Sequence, residues 1–238
     1  MKLSVLMPVY NEEKWIDKVV HKVLKQKIDG VEEIELVIVD DASTDGTKAI
    51  IQSLSEEHKN RIVPVYHKKN SGKGSAIKSA VETMTGDLCI IQDADLEYDP
   101  SEYPRILEPI ITGRADCVYG SRFVGSQSKR VLFFWHYVGN QFLTFLSNMF
   151  TNLNLTDIET CYKAFRCEII KTIPLHCRRF GFEPEITAKI AKRKCRIYEV
   201  GISYAGRTYE EGKKITWVDG FKAIYYIIKF GIFDDSRK

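Results

Sequence analysis

A largely parallel α/β sheet with helices on both faces is the fold class this sequence predicts, and three observations predict it. Short apolar, β-branched runs alternate with stretches of helical periodicity from residue 3 to about residue 120. Three of those runs end in polar or acidic residues: Pro8 to Glu12, Asp40-Asp41, and Asp93 to Glu97. The length of 238 residues, 44% of them hydrophobic, suits one full core better than two small ones. Strands joined through helices run parallel, because each crossover carries the chain back to the same end of the sheet.

Leu3–Met7 is the first strand, stopped by Pro8. Asn11-Glu12-Glu13 then starts a helix, with Asn as cap and acidic residues at its positive end. Trp15, Ile16, Val19, Val20, Val23 and Leu24 recur at helical spacing on its sheet-facing side. Gly30 lies in the connection to Ile34–Val39, the second strand, which ends in Asp40-Asp41. Asp45-Gly46-Thr47 opens the next helix, with the Asp45 carboxylate as its cap. Ile62–Tyr66 is the third strand, and Pro64 marks it as an edge. Asn70–Ser75 begins a helix that runs to about Thr85, and Leu88–Ile91 is a buried fourth strand. Ala115–Tyr119 and Ile197–Tyr204 are later strands.

Composition removes several function classes. A net charge of +3, without a basic tract interleaved with aromatics, argues against a nucleic-acid partner. The six cysteines form no C-x-x-C pair and show no metal-ligand spacing, so reduced thiols in a cytosolic compartment are expected. The start at Met1 lacks a signal-peptide pattern, and no apolar run reaches the roughly 18 residues that span a bilayer.

The chemistry gathers at the fourth strand. Asp93 and Asp95 alternate along an extended backbone, so both can face one point just beyond the sheet. Their oxygens suit Mg²⁺ or Mn²⁺ with positions open to diphosphate oxygens. A lone D-x-D is more often a solvated turn. Here three strands deliver polar residues to the carboxyl edge, where open α/β sheets bind ligands. Gly72-Lys73-Gly74-Ser75 is not a Walker loop, because His67 stands where a glycine is needed and Gly74 where Ser or Thr is needed. Lys73 reads as an exposed loop lysine, and the glycines as letting the loop pass close to a nucleotide.

Pro8-Val9-Tyr10-Asn11-Glu12, Val39–Thr47, Asn70–Gly74 and Asp93-Ala94-Asp95 together resemble the family 2 glycosyltransferases, in order and spacing, over nearly the whole chain. Within that family the chain is similar to the dolichyl-phosphate mannosyltransferases and their bacterial polyprenyl-phosphate relatives. The resemblance implies the GT-A fold, a nucleotide-sugar donor and a divalent cation. It implies a nucleoside pocket lined by Pro8, Tyr10 and Glu12, with Val39 and Asp41 beside the base. Asp93, Ala94 and Asp95 would hold the metal and the donor diphosphate, and Glu97 would add a metal oxygen. Arg122, in Gly120-Ser121-Arg122, would clamp reacting phosphates; the plainer reading is a structural ion pair. Asp157 and Glu159, in Thr156–Lys163, would lie by the acceptor, where Cys161 replaces the family's usual Gly. Arg207 and Lys213 would touch the diphosphate from a Gly-containing segment that orders on donor binding.

The expected layout is a single domain: a donor half over residues 1–120, an acceptor half over 121–216 and an amphipathic helix over 217–233. The polar loop 125–130 is a candidate lid. Val131–Phe150, rich in aromatics, reads as a core helix from about Val138, with a greasy face for a lipid acceptor as the rival. Glu183 and Glu185 suit a helix N-terminus. The expected activity is metal-dependent, inverting transfer of a sugar from a GDP-mannose or UDP-sugar donor to a polyprenyl phosphate at the cytosolic membrane face. One rival is transfer to a saccharide hydroxyl with Asp157 or Glu159 as base. Another is a non-catalytic nucleotide-sugar-binding or scaffold protein.

Overall fold

The computed structural model describes residues 1–125, 128, 130–131, 133–179, 181–208 and 217–233. In chain order its elements are β1 (Lys2–Val9), α1 (Ile16–Leu24), β2 (Glu33–Asp40), α2 (Thr47–Glu57), β3 (Ile62–Tyr66), α3 (Lys73–Thr83) and β4 (Leu88–Ile91). After these come α4 (Tyr103–Ile111), β5 (Cys117–Ser121), α5 (Phe134–Thr151), β6 (Lys163–Arg166), α6 (Cys167–Ile170), α7 (Phe182–Lys192), β7 (Ile197–Gly201) and α8 (Trp217–Ile228). A π-helical turn, Lys229–Phe233, closes the described chain.

The strands form one seven-stranded sheet in the order β3-β2-β1-β4-β6-β5-β7. All neighbours pair parallel except β6, which runs antiparallel to both β4 and β5. The chain winds outward from β1 through β2 to β3, then crosses to the other side of β1 to make β4. Right-handed crossovers therefore put α1 and α2, which pack together, on one face and α3 on the other. The reversal creates a switch point between the carboxyl ends of β1 and β4, the place where such sheets leave a crevice. Leu3, Val5, Leu36, Ile38, Ile90 and Val118 are fully buried in the core.

Three local expectations are corrected. Pro8 does not stop β1; the strand continues to Val9, with Pro8 opposite Val39. The Leu6 carbonyl accepts from Gln92 N–H on the β4 side, and the Val9 carbonyl accepts from Asp41 N–H on the β2 side. By alternation Pro8 faces β4, which has already ended opposite Leu6, so no donor is missed. Asn11 is not a helix cap. It takes a left-handed φ of 53° and spends its side chain on the next loop, accepting from Thr44 N–H at 2.8 Å. β6 was not foreseen at all. Pro64 does lie on an edge strand, and the Asp45 carboxylate does accept from Thr47 N–H, at 3.0 Å, where α2 begins.

Candidate active site

The acidic end of β4 is set by a buried amide. Gln92 is fully buried; its Oε1 accepts from the hydroxyls of Tyr103 (2.7 Å) and Tyr162 (2.8 Å), and its Nε2 donates to the Asp93 carbonyl at 3.0 Å. This fixes the backbone as it leaves the sheet at the switch point. Asp93 then pairs with the Lys73 ammonium at 2.9 Å, and Lys73 also reaches Glu183 at 3.5 Å. Lys73 is not the solvated loop lysine that its sequence context implies: it sits between two carboxylates at the centre of the site. Burial works against ionisation of Asp93, but Lys73 outweighs it and holds this carboxyl below its ordinary range.

Arg207 organises the other carboxylates. Its guanidinium donates to Asp95 at 2.6 Å and to Glu97 at 3.0 Å, and lies 3.5 Å from Glu12. Glu97 is fully engaged, since the same oxygen accepts from Arg207 N–H at 2.9 Å and the other accepts from the Tyr204 hydroxyl at 2.8 Å. Burial, together with the charges of Asp93 and Glu97, outweighs Arg207 and pushes the Asp95 carboxyl up to about 7. Among the described residues one guanidinium faces three carboxylates, and hard carboxylate oxygens are suitable donors for Mg²⁺ or Mn²⁺. Asp93 and Asp95 fit such an ion. Glu97 fits less well, because Arg207 and Tyr204 hold both of its oxygens and the three acidic groups do not close on one point. Among the described residues, the grouping of three close ligand atoms is instead His21, Glu57 and His58, on α1 and at the end of α2.

On the nucleoside side, Val39 and Ala94 are buried, Pro8 is half-buried and Tyr10 is exposed beside the crevice. Asp41 is buried, and the loop at residues 67–72 takes up both its oxygens. Its oxygens accept from Ser71 N–H (2.9 Å), Gly72 N–H (2.6 Å) and His67 Nδ1 (2.7 Å). It therefore shapes the loop that delivers Lys73. Gly72 has φ 93°, and a Cβ on either Gly72 or Gly74 would collide with the Cys177–Arg179 backbone, so both glycines let this loop pass close to that segment.

The acceptor side centres on Arg122. Its Nε and Nη2 each donate to an Asp157 oxygen at 2.6 Å, and its own N–H donates at 3.1 Å. Asn140 adds a bond to Asp157 at 3.0 Å. Asp157 is fully buried; burial opposes its charge, yet Arg122 holds its carboxyl below the ordinary range. Such a carboxylate is a poor proton acceptor, so the expectation that Asp157 could act as base is corrected. Glu159 differs. Its Oε1 is buried without a hydrogen-bond partner, and burial, with Glu183 nearby, pushes its carboxyl up to about 7. Tyr204 joins the two sides, with its ring 5.1 Å from the Arg122 guanidinium and its hydroxyl on Glu97. Lys213 lies outside the described residues, as do Ser126, Gln127 and Lys129 of the candidate lid.

The aromatic stretch is not core. α5 buries Thr144 and Ser147 while exposing Trp135 (77%), Phe142 (53%), Phe145 (63%) and Met149 (63%). α8 packs beside it and exposes Phe221 (65%) and Tyr225. Helical periodicity located a stripe but could not say that its outer side would be the apolar one. No helix among the described residues is long and apolar enough to cross a membrane.

The family described as Glycosyl transferase family 2 matches residues 4–173. An undecaprenyl-phosphate 4-deoxy-4-formamido-L-arabinose transferase of Photorhabdus laumondii is 27% identical over 213 residues, covering 89% of this chain. This chain spans only 62% of that relative's length. A UDP-N-acetylglucosamine–dolichyl-phosphate N-acetylglucosaminyltransferase of Methanococcus voltae is 28% identical, with 95% of this chain and 94% of the relative covered. In three dimensions the chain is similar to glucosyl-3-phosphoglycerate synthase of Mycobacterium tuberculosis, solved with Mn²⁺ and UDP-glucose. The TM-score is 0.72 at 20% identity, over 99% of this chain and 80% of that one, which establishes the fold. With the switch-point carboxylates, the GT-A sheet and a family match over most of its length, this chain belongs to glycosyl transferase family 2.

Proposed function

We propose that the chain transfers a sugar from a nucleoside-diphosphate donor to a polyprenyl phosphate at a membrane surface. The observation that carries this reading is the exposed aromatic surface of α5 and α8, on the helix whose Asn140 also braces the Arg122–Asp157 pair. A soluble acceptor needs no such surface, whereas a prenyl chain does. The names of both relatives support a lipid-phosphate acceptor, and that of the Methanococcus relative supports a uridine donor.

Residues 1–120 would bind donor, 121–216 acceptor, and 217–233 would rest on the bilayer. Pro8, Tyr10, Glu12, Val39 and Ala94 would line the nucleoside and diphosphate path. Asp93 and Asp95 would hold Mg²⁺ or Mn²⁺, which when bound supplies positive charge to the departing diphosphate. Arg207 would exchange a carboxylate for donor phosphate, since a guanidinium shared among three carboxylates can release one and keep the others. Arg122, held rigid by Asp157, would orient the acceptor phosphate. A phosphate oxygen is already anionic near neutral pH, so no general base is required.

Glu159 favours one second reading. An unpartnered carboxylate with a pKa of about 7 suits a general base, and hence a hydroxyl acceptor. A panel of UDP- and GDP-sugars, with Mg²⁺ or Mn²⁺ and with a short polyprenyl phosphate or a simple saccharide, separates the two. Lipid-linked product from the polyprenyl phosphate supports the first reading. Product formed only on the saccharide would overturn it.

A further inference from the structure

We propose that a basic cleft between the Lys69–Ser71 loop, the His176–Arg179 segment and α8 is a headgroup site for anionic bilayer phospholipids. The cleft measures about 520 Å³. Lys69, Arg178, Arg179, Lys222 and Lys229 line it, and none of its lining residues among those described is a carboxylate. Among these cations Lys222 has a nearby acid, Asp219 at 3.6 Å. Arg178 and Arg179 are exposed and lack an acidic partner among the described residues. Five cations gathered with Asp219 as the one nearby acid among the described residues repel one another, and a phosphate diester relieves that repulsion.

A second observation points to a lipid as the source of the phosphate. Lys222, Tyr226 and Lys229 recur at helical spacing, as do Phe221, Tyr225 and Ile228, and the two stripes are offset by one residue, a turn of about 100° around the axis. Lys222, Tyr226 and Lys229 line the cleft; Phe221 and Tyr225 stay exposed beside it. Lys229 marks the seam, its ammonium 5.8 Å from the Tyr225 ring and 5.5 Å from the Phe230 ring. One helix thus borders a basic cleft and an apolar strip side by side, the arrangement an amphiphile presents in reverse.

The site goes beyond the transfer reaction. None of Glu12, Asp93, Asp95, Glu97, Arg122 or Arg207 lines it. It nevertheless touches the donor loop, since Ser71 lines the cleft and its N–H binds Asp41, and Arg178 accepts from Ser75 N–H at 3.1 Å.

The test is vesicle co-sedimentation without donor or metal, using phosphatidylcholine alone and phosphatidylcholine mixed with phosphatidylglycerol. The full chain should bind the mixed vesicles more tightly. Arg178→Ala/Arg179→Ala/Lys229→Ala should weaken that binding by roughly 10²-fold, about fivefold per charge near the surface. A control of equal charge change, Lys25→Ala/Lys27→Ala/Lys59→Ala, removes exposed lysines outside the cleft and should weaken it far less. Both variants are first checked for native circular dichroism and melting. Equal losses in the two triples would show attraction by net charge alone and overturn the assignment. Saturable binding of inorganic phosphate, by calorimetry, with no preference for anionic vesicles, would overturn it too.

Discussion

Arg122 and Arg207 stand on either side of Tyr204, and they treat their carboxylates in opposite ways. Arg122 makes a closed bidentate pair with a fully buried Asp157, reinforced by its own N–H and by Asn140. Arg207 is spread over Glu12, Asp95 and Glu97, and Asp95 keeps a carboxyl near 7 in spite of it. The closed pair fixes a position and has little left to exchange. The shared one faces more acids than it can neutralise among the described residues, and it can trade partners. Under the proposed function the first would suit an acceptor that must be aimed, and the second a donor whose phosphates take over a carboxylate's place on the guanidinium.

The largest effect should come from the shared centre. Asp95→Asn should reduce transfer by roughly 10²–10³-fold, the range for removing one electrostatic stabiliser, while the circular dichroism spectrum stays native. Chelator should do the same reversibly, and unchanged turnover in excess EDTA would sink the metal assignment. Next comes the closed pair, where the signal should be stability. Asp157→Asn leaves a buried guanidinium without its counter-charge and should cost about 3–5 kcal/mol in denaturant unfolding. Arg122→Met added to Asp157→Asn should recover much of that loss; two simply additive losses would mean that the residues are not a pair in solution.

Glu159→Gln sharpens the comparison by asking whether a third carboxylate works as a base. With a phosphate acceptor, turnover should change only a few-fold and its pH profile should keep its shape. With a hydroxyl acceptor the loss should be about 10²–10⁴-fold. The smallest effect belongs to Glu35, far from the site, which accepts from Ser4 Oγ (2.5 Å), Thr85 N–H and Thr85 Oγ1 (both 2.6 Å) and pairs with Lys2 at 3.0 Å. Burial alone would raise its carboxyl; these donors bring it down to about 2, from an ordinary 4.5. A depressed acid stabilises the fold above its unfolded pKa, and that stability drains away as pH falls from about 4.5 to about 2. Glu35→Gln should therefore lose about 1–3 kcal/mol at neutral pH and show a flatter acid limb in the same window.

The parts of the site that share a strand end were legible in the sequence, because alternation along an extended chain is a local rule. Asp93, Asp95 and the polar exits of β1 and β2 needed no knowledge of the rest of the molecule. The pairing of Arg122 with Asp157 spans 35 positions and surfaced only as a plainer alternative. Lys73 was misjudged for the same reason, since both its partners, Asp93 and Glu183, lie on other elements. β6 escaped because four residues with a cation at each end, Lys163–Arg166, carry no alternation to detect. α5 was misread because periodicity reports a stripe and is silent about which solvent lies beyond it.

The antiparallel β6 has one further consequence. Because it reverses direction between β4 and β5, those two strands point the same way, and their exits, Asp93 just after β4 and Arg122 just after β5, emerge on one rim. They are two ladder steps apart, about 10 Å across the sheet at the usual strand spacing. The gap between Asp93 and Arg122, donor and acceptor groups in the proposed function, is thus gauged by backbone hydrogen bonds and not by side-chain reach. β6 works as a spacer of fixed width, and under the proposed function a sugar in transit would have to fit the distance that the sheet has already measured.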